Sequence, residues 1–357
     1  MPDSRQPNQA SAAPGERPAG DVTVSVVVLN FNGLAYLPEC LASLEGQTFR
    51  DFEVVVADNG STDGSAAWLR AHAAAHTLLL LERNLGFAAG NNAALDHARG
   101  RLIVFLNNDT RVDPDWLAHL VAAAGEHPEA GMFGSQIRSY DKPEILDTVG
   151  ITVYRDGMSR GLGRLQPAAL YDEPLEIFAP SGCAAMYRRE VLDAVGPFDP
   201  AFFAYCEDMD LGMRARLAGW TCRYVPAARV YHHYSGTTGK YSPLKAFLVE
   251  RNHLWLLIKL FPLRMIAASP WYTLKRYALQ AYGVFSGKGA AGRFASEFPA
   301  YKLVGILIRA YWETLLALPR LLRERRSARG LVRVPRREIL GWFDRFGITA
   351  TELAMRD

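Results

Sequence analysis

In the first two thirds of the chain, short apolar runs alternate with amphipathic stretches. Residues 22–30 (VTVSVVVLN) are an almost unbroken β-branched run, which suits a strand buried on both faces of a parallel sheet. Residues 34–44 carry helical spacing, and 52–58 (FEVVVAD) predict the next buried strand. The same alternation predicts a helix over 65–76, a strand over 77–81, a helix over 88–98 closed by Gly100, and a strand over 101–106. Asp113 and Pro114 read as the cap and first turn of a helix running to Ala124. Strand and helix alternating at this spacing imply right-handed βαβ units in a doubly wound α/β sheet.

Between 130 and 180 the signal weakens to short β runs (132–137 and 151–154) among glycines and prolines. Residues 183–188 predict a strand and 206–218 a helix, with two short strands at 222–225 and 229–231. From Pro243 the pattern changes to long amphipathic helices rich in Leu, Trp, Tyr and Arg. The expected organisation is a leader over 1–20, an α/β domain over 21–240 and a helical region over 241–357. The leader is rich in Pro, Ser, Ala and Gln without an apolar core, the composition of a disordered segment rather than a signal peptide.

Composition adds limits. With 49% apolar and 22% charged residues in 357, the chain is globular, and two domains are the prior. A net charge of +3 does not point to nucleic acid. Cys40, Cys183, Cys206 and Cys222 form no C-x-x-C pair, so they read as free thiols in a reducing compartment. The longest apolar stretches, 254–268 and 303–318, are interrupted by Lys259, Pro262 and Arg264 and by Arg309 and Glu313, so a spanning helix is not expected.

Candidate chemistry sits at strand ends, where open α/β sheets bind ligands. Asn30-Phe31-Asn32-Gly33, Asp58 to Gly64 and Asn107-Asn108-Asp109 end the first, second and fourth predicted strands. Each alone is an ordinary turn, but three on one edge imply a site. Asn84 to Asn92 (NLGFAAGNN) leads into a helix N-terminus, which favours anions. It is neither a dinucleotide fingerprint after the first strand nor a P-loop.

These segments, with SGCAAMYRRE, FDPAFFAYCEDMDLGMR and VYHH, resemble the inverting family 2 glycosyltransferases, in particular the bacterial rhamnosyltransferase-like subgroup. The resemblance spans about residues 22–260 and implies a GT-A fold. It places Asp58 on the nucleotide base or ribose, with Asn30 and Asn32 lining the same pocket. Arg83, Asn84, Gly86, Phe87, Gly90 and Asn91 become the loop that packs on the nucleotide sugar. Asn107, Asn108 and Asp109 stand at the D-x-D position, with Asp109 as metal ligand, His232 as a second ligand, and Mn²⁺ or Mg²⁺ as the ion. Glu207-Asp208 matches the E-D motif, with Asp208 as general base and Glu207 beside the acceptor. Ser181-Gly182 forms the turn beneath the donor sugar, and Cys183 is read as packing. Without the resemblance, His232 reads as an ordinary histidine and the acids at 207–210 as complements to a helix dipole. Asp210 reads as structural, with Arg214 as its i+4 partner.

The resemblance further implies a dTDP- or UDP-sugar donor, rhamnose from dTDP-rhamnose among them, and a glycan or lipid-linked acceptor in cell-surface polysaccharide assembly. A catalytically silent relative is the alternative. A pyrophosphorylase would need a Gly-rich basic loop after the first strand, where this chain has Asn-Phe-Asn-Gly. Between Arg320 and Arg337 stand eight arginines and one acid, Glu324. Beside Trp- and Tyr-bearing amphipathic helices, this run suits an anionic membrane surface on the cytoplasmic side. A solvated basic face or a subunit interface remains the plain alternative, and no nucleic-acid partner is expected.

Overall fold

The computed structural model describes residues 22–233, 242–287 and 289–355. The predicted leader and the boundary near 240 lie outside these residues. Strands β1 (Val24–Asn30), β2 (Phe52–Asp58) and β3 (Thr77–Leu80) alternate with helices α1 (Leu37–Glu45), α2 (Ser65–His72) and α3 (Gly86–Leu95). Strand β4 (Leu102–Asn107), short β5 (Thr110–Val112), α4 (Trp116–Glu126) and β6 (Ala130–Ser139) follow. Next come β7 (Leu146–Thr148), β8 (Ile151–Val153), β9 (Ser159–Gly161), β10 (Leu175–Glu176), β11 (Ala184–Arg188), α5 (Arg189–Val195), α6 (Glu207–Leu217) and β12 (Thr221–His232). The main sheet runs β10-β12-β6-β11-β4-β1-β2-β3, with β5 and β7 attached to β12 and β6. Its β3-β2-β1-β4 half is parallel; β11 enters antiparallel to both β4 and β6, so the whole is a mixed sheet.

Strand β1 shows why the sheet is covered on both faces. Val24, Val26 and Val28 pack with α1 and α4 through Leu37, Leu41, Trp116 and Leu120, whereas Val27 packs with Ala88, Ala94 and Leu95 of α3. Each fully buried valine contributes roughly 1.5–3 kcal/mol. Its register sets Asn30 beside Asp58 and Leu29 beside Asn107, which brings three polar strand ends to one edge.

Several predicted boundaries shift for local reasons. Helix α3 begins at Gly86 and ends at Leu95, and Gly100 does not cap it. A Cβ on Gly100 would lie 2.4 Å from the Ser25 backbone nitrogen, so this glycine lets the chain pass against β1. Helix α4 begins at Trp116 without a side-chain cap, and Asp115 accepts from the Thr48 hydroxyl instead. The two short strands after α6 are one strand, β12, bulged between Val225 and Arg229. The four cysteines are free and buried.

Helices α7 (Pro243–Leu260), α8 (Leu263–Ser286), α9 (Gly289–Glu297), α10 (Ala300–Arg329), α11 (Arg336–Arg345) and α12 (Ala350–Met355) complete the chain. Leu256, Leu257, Trp342 and Phe343 share a core with Met209 and Met213 of α6. Buried Arg276 on α8 meets buried Asp156 at 2.7 Å, and Lys259 on α7 meets Asp210 on α6 at 2.9 Å. Burial pushes Asp210 up, but Lys259 and Arg214 outweigh it and hold the carboxyl below its usual range. The expected Asp210–Arg214 pair is present at 2.8 Å.

Candidate active site

The polar strand ends interlock. Asn30 is fully buried and donates to Asp58 at 2.8 Å, and Asn108 donates to the Asn30 side-chain oxygen at 2.6 Å. Asp58 also accepts the Ser61 N–H at 3.0 Å, and the Asn32 side chain accepts the Thr62 N–H at 2.8 Å. Gly60 (φ 74°) lets this loop approach the Arg83 backbone, where a Cβ would come within 2.6 Å. Asn59, unremarked in the sequence, anchors the next loop. Its Oδ1 accepts the Leu85 N–H at 2.9 Å, and its Nδ2 donates to Asn84 and to the Gly86 carbonyl. Asn84 in turn accepts the Gly86 N–H at 2.8 Å, and Asn91 donates to the Phe87 carbonyl at 2.9 Å. Gly90 packs tightly on Leu29, and Phe87 meets the Phe198 ring edge-on.

Asp109 and His232 come together from strand ends far apart in sequence, because β12 pairs with β5 directly after Asp109. His232 Nε2 lies 3.3 Å from Asp109 Oδ1, a buried oxygen with no hydrogen-bond partner. The other ring nitrogen of His232, Nδ1, meets Asp147 Oδ2 at 2.7 Å, and Arg164 pairs with Asp147 at 2.9 Å. Burial pushes the Asp109 and Asp147 carboxyls up, but His232 beside them holds both below their usual range. Burial pushes His232 down, but Cys183 and then the two carboxylates overcome this and raise it well above an ordinary histidine. His233 faces away, as the extended backbone requires, and stacks on Tyr140 with ring centroids 3.7 Å apart.

An oxygen without a partner facing an imidazole nitrogen is a donor pair suited to a divalent cation, Mn²⁺ more than Mg²⁺, once the cation displaces the proton that the flanking carboxylates hold on the ring. Among the described residues no group of three or more His, Cys, Asp and Glu forms a complete cage. An ion held here would therefore draw its other ligands from diphosphate oxygens and water. A carboxylate on the second histidine nitrogen is the usual means of orienting a metal-binding imidazole. Asp147 lies in the region of weakest pattern, and nothing in its sequence surroundings marked it.

The turn at 181–183 joins this pair to the acids of α6. The Cys183 carbonyl accepts the Asn107 N–H at 2.9 Å, and the Cys183 thiol contacts His232. Asp208 Oδ2 accepts the Gly182 N–H at 3.0 Å, and Asp208 Oδ1 accepts the Met209 N–H at 2.8 Å. Burial raises Glu207 and Asp208, the first two acids of α6. Glu207 is driven further, by burial and then by the Asp208 charge, and its Oε2 has no partner. Glu207 thus takes up a proton more readily than Asp208, whose N–H donors favour the carboxylate. Burial also raises the Cys183 thiol, which keeps it from acting as a nucleophile.

A sequence profile of glycosyl transferase family 2 matches residues 25–196. An N-acetylglucosaminyl-diphospho-decaprenol L-rhamnosyltransferase of Mycobacterium tuberculosis is 31% identical over 261 residues, covering 64% of this chain and 85% of that protein. The chain belongs to glycosyl transferase family 2. Solved structures agree on the fold. A mannosyltransferase of Pyrobaculum calidifontis, in complex with GDP-mannose and Mn²⁺, superposes with a TM-score of 0.52 at 20% identity, over 87% of this chain and 91% of that one. GalNAc-T7 with UDP, GalNAc and Mn²⁺ superposes with a TM-score of 0.55 at 20% identity, over 67% of this chain and about half (48%) of its own length. The fold is thus the expected GT-A fold, and this family 2 member is a glycosyltransferase enzyme. Its family profile ends at residue 196, before α6 and His232. For Asp208 and His232 the geometry, not the profile, connects them to the site.

Proposed function

We propose that this family 2 enzyme is a divalent-metal-dependent, inverting transferase. It moves rhamnose from dTDP-rhamnose onto a lipid-linked glycan at the inner face of the cell membrane. The observation that carries the reading is the single turn, Ser181 to Cys183, that holds the Asp109–His232 pair on one side and Asp208 on the other. The identity with the mycobacterial rhamnosyltransferase, named for a diphospho-decaprenol acceptor, supports the sugar and the lipid.

In this reading Asn30, Asn32 and Asp58 hold the nucleoside. Arg83 to Asn91 cradle the diphosphate and sugar at the start of α3. Asp109 and His232 would hold the cation, which neutralises charge on the departing diphosphate when bound. Asp208 takes the proton of the acceptor hydroxyl as that oxygen bonds to the anomeric carbon. The bond from that carbon to the phosphate oxygen breaks on the opposite face, so configuration inverts. Ser181 and Gly182 floor the sugar, and Glu207 borders the acceptor.

A thermal-shift panel of dTDP-, UDP- and GDP-sugars, with and without Mn²⁺, tests the donor. Binding at 100 times Kd adds about 2.7 kcal/mol of stability, well within detection. The reading expects a Mn²⁺-dependent shift for dTDP-rhamnose; the same shift for another donor alone would replace the sugar, and none for any donor would remove the reading.

The membrane contact rests on α10. Tyr301, Val304, Ile308, Trp312, Leu315 and Leu316 are exposed at helical spacing, and the helix then runs into the arginines from 320 onward. No helix among the described residues is long and apolar enough to cross a membrane. Such a helix suits the plane of an anionic interface. The protein is expected to sediment with phosphatidylglycerol vesicles and not with phosphatidylcholine ones, and Trp312→Glu with Leu315→Glu to release it. Equal recovery with both vesicle types, or retention of the double variant, would count against this face.

A further inference from the structure

The segment leading into Asp208 is bent against its own preferences. Phe203 (φ 66°, ψ −65°) centres a γ-turn closed by the Ala204 N–H, which donates to the Phe202 carbonyl at 2.8 Å. That turn is rare and strained. Tyr205 (φ 69°) and Cys206 (φ 66°) follow in the left-handed region. Side chains hold such conformations only where their surroundings over-determine them.

The surroundings come from α7. Asn252 is fully buried, and its Nδ2 faces the carbonyls of Phe202, Ala204 and Tyr205 at 3.0, 2.9 and 2.7 Å. Arg251 Nε donates to the Asn252 Oδ1 at 2.9 Å, which orients the amide with its N–H groups toward the loop. Arg251 Nη2 also donates to the Phe202 carbonyl at 3.1 Å, and its Nη1 reaches Glu313 on α10 at 3.3 Å. On the other side the loop touches the donor segment. The Phe203 carbonyl accepts the Ala88 N–H at 3.1 Å, and its ring occupies the space that a Cβ on Gly86 would need. One strained loop therefore spans from the nucleotide-sugar segment to the first residue of α6.

We propose that Arg251 and Asn252 are positioning residues for catalysis: they clamp the 203–206 loop in its strained form and so place Asp208 against the donor. Neither touches a reacting atom. The helical region is then part of the catalytic apparatus and not an appendage to it. The proposal rests on Asp208 being the base.

Asn252→Asp tests it, because it keeps the shape and removes both amide donors. Nucleoside-diphosphate release is expected to fall in kcat by about 10²-fold, with the Kd for dTDP or UDP plus Mn²⁺ within about threefold, since misplacement of about 1 Å costs that much in rate. Donor affinity is spared because Asn59 anchors the donor loop independently. Adding Cys206→Gly relieves a left-handed position at no steric cost, and is expected to return at least about tenfold of the lost kcat. A role in stability alone gives a different pattern: melting temperature, affinity and kcat fall together, and Cys206→Gly shifts all three together rather than returning kcat by itself. Where Asn252→Asp does not accumulate, Arg251→Lys keeps the charge and loses the fork, with the same split expected. Asp208→Asn run alongside separates the two readings. If it retains turnover, the base assignment fails whatever Asn252 does. If it is inactive while Asn252→Asp turns over like the native enzyme, the clamp is overturned.

Discussion

Asp208→Asn is expected to lower kcat for sugar transfer by about 10²–10⁴-fold, the usual worth of a positioned general base. Donor affinity is expected to hold, because the Gly182 N–H can still donate to the asparagine oxygen. The pH profile sharpens the test. Burial raises the Asp208 carboxyl, so the native acid limb of kcat lies above the ordinary aspartate range, with activity falling as pH drops through it. The asparagine variant has no group to protonate there, and its residual rate is expected to be flat across that window. A large loss of donor affinity, or an acid limb that survives the substitution, would take the base role away from Asp208.

Asp109→Ala is expected to abolish the Mn²⁺ dependence of nucleotide binding, which calorimetry with dTDP or UDP reads without any acceptor. The residue supplies the one carboxylate oxygen beside His232 that lacks a partner. Removing it also leaves His232 with Asp147 as its remaining carboxylate, and the imidazole is no longer aimed by two carboxylates. Asp147→Asn gives the graded form of the same result: Mn²⁺ affinity is expected to drop by about 10–100-fold with the nucleotide affinity measured without metal unchanged. Binding that still strengthens equally with Mn²⁺ in Asp109→Ala would place the cation elsewhere.

The two carboxylate–histidine contacts show where sequence reading reaches its limit. Asp109 and His232 stood out by residue type beside recognisable motifs, and β5–β12 pairing brings them within reach of each other. Asp147 sits on a three-residue strand amid glycines and prolines, where no period marks an inward face. Its role exists only because β7 pairs with β6, which carries it to the end of β12. Asn59 was hidden differently: an Asn in a turn is the expected residue there, and its three hydrogen bonds to the 84–86 loop are made across sequence distance.

The parallel half of the sheet was legible because period and composition are local. Strand β1 buries both faces, so its code is a continuous β-branched run, and that run is written within seven residues. The polar strand ends were legible for the same reason, since each is a contiguous cluster. The strain at Phe203, Tyr205 and Cys206 was not, because nothing in Phe-Phe-Ala-Tyr-Cys asks for a positive φ. Those angles are imposed by Arg251 and Asn252, about 50 positions away, through hydrogen bonds that form only after α7 docks. The residues proposed to carry the chemistry stand out in the sequence through its resemblance to the family. How they are aimed depends on buried contacts between distant segments, and that only the tertiary structure decides.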